Sequence, residues 1–111
     1  MTEDARSHAE LAAALRERVL ASGVLAPDLR RGILARGGGG SIPVDAPYDE
    51  LVRQIAGASF RVVDRQVDEV REAAGSQKAA FEVVLTACIG AGLSRWDAAS
   101  AAIDEATDAP A

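Results

Sequence analysis

Residues Ala79-Ala80-Phe81-Glu82-Val83-Val84-Leu85-Thr86-Ala87-Cys88-Ile89-Gly90-Ala91-Gly92-Leu93 make up the most apolar stretch of the chain, and Glu82 is its one charged member. Apolar nearly all round, the stretch reads as a helix buried on several sides, opened by Ser76. Its small residues Ala87, Gly90, Ala91 and Gly92 let neighbouring helices approach closely. Ala87, Gly90 and Ala91 are therefore interface candidates, and Trp96 is another because Trp is enriched at binding hot spots. Gly90 and Gly92 also weaken a helix and mark the place for a bend or break. Beyond it, Ser94 opens a separate terminal helix carrying Trp96, Ala99 and Ile103, and residues 107–111 read as a frayed tail.

Working back from that stretch, Gly75 stops a helix over 65–74 in which Val67 and Val70 face inward, and Asp64 stands where a cap is needed. Before it, Pro47 begins a helix whose Leu51, Ile55, Ala58 and Val62 form a stripe. Asp49 and Glu50 in its first turn complement the helix dipole. Gly37-Gly38-Gly39-Gly40 reads as a flexible linker, since four glycines are entropically costly to order. A phosphate loop is disfavoured because no Lys-Ser/Thr follows the run. Upstream, Pro27 and Asp28 suit the start of a short helix bearing Leu29 and Ile33. A first helix over 3–22 carries Leu11, Leu15 and Val19 at four-residue steps, with Gly23 as its stop and fraying up to Ser7.

The expected fold is all-α: a small bundle of five to six helices in a single domain over 1–111, with N-terminal helices in 3–36, the glycine-rich linker in 37–46 and core helices in 47–106. A length of 111 residues fits one domain. The chain holds 24 alanines and 11 arginines against one lysine, which fits a GC-rich genome, and only four aromatic residues, which suits close-packed helices. A net charge of −5 argues against nucleic acid, since phosphate binding needs clustered Lys and Arg. One histidine and one cysteine assemble neither a zinc site nor a disulfide, so no metal or cofactor is expected. No uninterrupted apolar run approaches the length of a membrane span, and Met1-Thr2-Glu3-Asp4 is not a basic leader. A soluble cytoplasmic protein is the expectation.

Three pieces carry a family resemblance: Phe60-Arg61-Val62-Val63-Asp64, Val70-Arg71-Glu72-Ala73-Ala74-Gly75, and Ala80-Phe81-Glu82-Val83-Val84-Leu85 through Ala91-Gly92-Leu93. Together they resemble the carboxymuconolactone decarboxylase / alkylhydroperoxidase D-like superfamily, as a small member without the active-site cysteines. The resemblance implies an all-helical fold and assembly into trimers or hexamers. It also implies a Cys-x-x-Cys-x-x-x-His motif, whose positions fall on Phe60, Val63 and Val67, or one residue later on Arg61, Asp64 and Asp68. Neither register holds a thiol or an imidazole. Thiol peroxidase turnover needs an attacking and a resolving thiol, and the related decarboxylation uses histidine as proton handler, so both chemistries are disfavoured.

What remains is a short set of candidates. Glu82 either faces solvent or pairs with Lys78 four residues earlier, or it is a buried carboxylate serving as a general acid. Asp64 is the second carboxylate candidate. Phe60, Val63 and Val67 would line a vestigial pocket. Cys88 reads as a small buried hydrophobe, His8 as a solvated residue, and Trp96 as either a core residue or a partner anchor. The preferred function is a non-catalytic helical subunit that self-assembles or binds a protein partner. The alternatives are a carboxylate-dependent lyase or isomerase and a small-ligand binding module.

Overall fold

A computed structural model describes the backbone of residues 2–108 and the side chains of residues 8–107. Of the expected frayed tail at 107–111, residues 107 and 108 instead end a helix and 109–111 lie outside the described residues, and the backbone before Ser7 is helical rather than frayed. Within the described residues the chain is all-helical. Helix α1 spans Thr2–Ala21, α2 Pro27–Gly37, α3 Tyr48–Ala58, α4 Asp64–Ala74 and α5 Gln77–Asp108, with a 3-10 turn at Ser59–Arg61 joining α3 to α4. Pro27 does open α2, and Gly75 does end α4. Gly75 adopts φ +89°, a left-handed conformation that favours glycine, and donates its N–H to the Arg71 carbonyl at 3.0 Å. Asp64 is not a cap. It is the first helical residue of α4, preceded by Val63, whose N–H donates to Gln66 Oε1 at 3.0 Å and so closes the helix start from inside.

The largest departure from the sequence reading is α5, 32 residues long and unbroken through Gly90 and Gly92. Ser94 opens no new helix. Gly90 faces inward, and a Cβ there would overlap the carbonyl oxygen of Leu34 on α2. A Cβ at Gly37 would likewise sit 2.5 Å from the Ala87 carbonyl oxygen and 2.8 Å from its Cα. The backbones of α2 and α5 therefore cross almost in contact. Packing gained at that crossing offsets the roughly 1 kcal/mol that a mid-helix glycine costs.

The glycine run expected to be a flexible linker caps α2 instead. Gly37 is the buried last residue of the helix, and Gly38 and Gly40 donate N–H groups to the Leu34 and Ala35 carbonyls at 3.2 and 2.9 Å. Arg36 Nη1 donates to the Gly40 carbonyl at 2.8 Å, while its Nε donates to Asp49 Oδ1 at 2.9 Å. The same Asp49 oxygen accepts the Val44 N–H at 3.1 Å. One arginine thus fastens both the glycine turn and the following loop to the first turn of α3.

That tie carries a pH signature. Burial pushes the Asp49 carboxyl up, but the Arg36 guanidinium and the Val44 N–H outweigh it and hold the group below the usual aspartate range. Glu50 is also held low, by Arg65 and then Gln66. A depressed folded-state value means stability that is present above the unfolded carboxylate value of about 4 and is lost as pH falls below it. Thermal melts from about pH 6 to pH 3 should show that loss, and Asp49→Asn should flatten it. An unchanged acid slope in Asp49→Asn would exclude this origin.

Ile33, Leu51, Val52, Val70 and Val83 form the fully buried centre, where α2, α3, α4 and the first half of α5 meet. Helix α1 stands largely outside it. Leu11 and Leu15 of its apolar stripe are exposed, since among the described residues α1 meets α2 and α5 alone. Joining the two expected segments also changes the premise about membranes. By length and composition α5 is apolar enough to cross one, although 44% of its most apolar window is buried inside the fold.

Candidate functional site

Glu82 neither faces solvent nor pairs with Lys78. Its Oε2 accepts the N–H groups of Val24 and Leu25 at 2.8 and 3.1 Å, and its Oε1 accepts from Arg30 Nε at 3.1 Å. Each guanidinium nitrogen donates once: Nη1 gives to the Leu20 carbonyl at 3.2 Å and Nη2 to the Leu25 carbonyl at 2.5 Å. The two side chains are 4% and 16% exposed. Gly23, at φ +148°, makes the approach possible, since a Cβ there would overlap Glu82 Oε1. A carboxylate held by three donors ties α5 to the α1–α2 joint.

Arg30 was not singled out from the sequence, although a signal existed. Arg30, Ile33, Leu34 and Gly37 follow the i, i+3, i+4, i+7 pattern of one helix face, and all four are buried. A cation on one apolar stripe and an anion on another are natural partners, because each would be costly to bury alone.

The other expected site residues are scattered. Phe60 is 83% exposed, with the Arg61 guanidinium 5.6 Å from its ring centre, and Val63 is exposed beside it. Val67 instead packs on the core with Val62 and Val84. The three do not enclose a pocket. Asp64 is exposed at the start of α4. Among the described residues no three His, Cys, Asp or Glu side chains come together as metal ligands. An open cleft of about 330 Å³ lies between α1, α2 and α5; of its three charged residues, Arg16 and Asp97 are paired across it at 3.2 Å and Arg31 pairs with Asp28 at 2.9 Å. Of the interface candidates, Ala87 and Gly90 are buried in the α2–α5 crossing and Ala91 is buried within the chain.

What α5 leaves uncovered is its opposite face. Phe81, Leu85, Cys88, Gly92, Trp96, Ala99 and Ile103 are spaced by fours and threes, so they line one side of the helix, and every one is exposed. Phe81 is 64%, Leu85 45%, Trp96 38% and Ile103 65% exposed. Cys88, expected to be buried, belongs to this face. Trp96 is no core residue: it meets His8 of α1 edge-on, with ring centres 6.1 Å apart. Large apolar side chains repeated along several turns of one helix are unusual on a free surface.

Comparison with models of known families gives no match, and neither curated proteins nor solved structures yield one.

Proposed function

We propose that this chain is a non-catalytic helical subunit that assembles through the outer face of α5, with a second copy as its preferred partner and the family resemblance pointing to a carboxymuconolactone decarboxylase-like scaffold without its redox residues. The observation that carries this reading is the run of exposed apolar side chains from Phe81 to Ile103, on the helix whose inner face forms the core. Its chemical counterpart is the engagement of Glu82, the one charged residue of the apolar stretch, in a structural tie. A chain of 111 residues buries a limited share of its own surface, and self-association is a common outlet for the apolar remainder.

Size-exclusion chromatography with light scattering tests it. The expected mass exceeds the 11.5 kDa of one chain and falls towards that value on dilution. A mass of one chain at every concentration, in the absence of any other protein, would contradict self-assembly.

A further inference from the structure

The outer face of α5 matches itself when turned end over end. Taking Gly92 as the centre, Leu85 and Ala99 lie seven residues away in opposite directions, Cys88 and Trp96 four, and Phe81 and Ile103 eleven. We propose that two copies pair through this face with their α5 helices antiparallel about a two-fold axis at Gly92. The proposal rests on the assembly reading above and adds its partner, direction and register.

Under that operator each contact occurs twice and each pair is between different residues, except at the axis itself. Leu85 packs over Ala99 of the second copy and Trp96 over Cys88, so bulk meets a small residue. At the centre Gly92 faces Gly92, and nothing within the chain lies within 4 Å of where a Cβ would stand. A parallel pairing would instead set Trp96 on Trp96 and Phe81 on Phe81, holding the helices apart around the glycine.

Charge favours the same direction. Lys78 and Asp104 are exposed, pair with no other side chain among the described residues, and stand 14 and 12 residues from Gly92 on opposite sides. The antiparallel arrangement brings Lys78 of one copy near Asp104 of the other, whereas a parallel one sets like charges together. From Phe81 to Ile103 the face is about 33 Å long. A specific interface removes at least about 1,000 Å² from water, so the pairing has to run the length of this face. A bilayer is the weaker occupant, because the net charge of −5 opposes anionic headgroups.

Disulfide trapping in the full chain reads the geometry. Cys88 in one copy and Cys88 in the other stand about 12 Å apart along the antiparallel pair, beyond disulfide reach. The wild type should stay uncrosslinked under mild oxidation, while Gly92→Cys in a Cys88→Ser background should give a covalent dimer of twice the 11.5 kDa chain mass. In the same background, Leu85→Cys and Ala99→Cys should crosslink when mixed but not separately, which fixes the register even if the glycine variant folds poorly.

Crosslinking through Cys88 in the wild type would mean a parallel pair and overturn the proposal. Failure of the engineered pairs, with light scattering still giving a mass above one chain, would overturn the geometry and leave self-assembly standing. A single-chain mass throughout would remove both. Leu85→Asp should weaken association about tenfold or more. Pelleting with equimolar phosphatidylcholine and phosphatidylglycerol vesicles should leave the wild type in solution; co-sedimentation lost in Leu85→Asp would assign the face to lipid and overturn the pairing.

Discussion

Glu82→Ala is expected to lower folding stability by about 3–5 kcal/mol, the range found when one partner of a buried ion pair is removed. Arg30 would keep its charge at 4% exposure with no counter-ion, and the Val24 and Leu25 N–H groups would lose their acceptor. Against a total of about 5–15 kcal/mol for a small domain, that loss is large enough to read directly from the urea midpoint. Glu82→Gln should cost less, since an amide oxygen still accepts the two backbone donors. Arg30→Met combined with Glu82→Leu should recover part of the deficit, because both charges then leave the low-dielectric site together. A Glu82→Ala midpoint equal to wild type would reduce the tie to an incidental contact and reopen Glu82 as a free functional group.

The second large effect contrasts two glycines two positions apart. Gly90→Ala would force a methyl group onto the Leu34 carbonyl, where the obstacle is backbone and cannot swing aside. Overpacking of this kind costs typically 1–3 kcal/mol and more where backbone must move, so a loss of about 3 kcal/mol is expected. Gly37→Ala should behave alike, since it meets Ala87 across the same crossing. Gly92→Ala should have the opposite sign in the dilute single chain. Its Cβ points into open space, and removing a mid-helix glycine gains about 0.5–1 kcal/mol. Equal effects at 90 and 92 in urea titrations of the dilute protein would rule out the close α2–α5 approach.

The helices themselves were legible because their signals are local. Pro27, Gly75 and the apolar stretch from Ala79 to Leu93 act through the few residues around them, and α2, α4 and α5 run through those places. Gly90 was misread for the same reason. Its intrinsic cost to a helix is written in the sequence, but the carbonyl of Leu34 that requires a glycine there lies 56 residues away. The glycine turn at 37–40 was misread likewise, since its order comes from Arg36 and Asp49 and from packing on α5. Glu82 stood out correctly as an anomaly, yet its partner Arg30 is 52 positions distant and no periodicity pairs the two.

The candidate surface was half legible. Small residues at Ala87, Gly90 and Ala91 announced close helix contact, but composition does not say whether the neighbour belongs to the same chain. A helix apolar on all sides also conceals which side is inner. Only after α2, α3 and α4 are placed does the exposed line of Phe81, Leu85, Cys88 and Trp96 separate from the buried one of Ala80, Val83 and Ala87.

Trp96 is the sole tryptophan and lies on that exposed line, so its fluorescence reports directly on whether the outer face of α5 is a contact surface. On dilution from high to low protein concentration, its emission should move to longer wavelength as the ring becomes wet, with the same midpoint as the change in mass. Leu85→Asp should show the long-wavelength spectrum throughout. Emission that stays constant with concentration in the wild type and matches the variant would contradict assembly through this face.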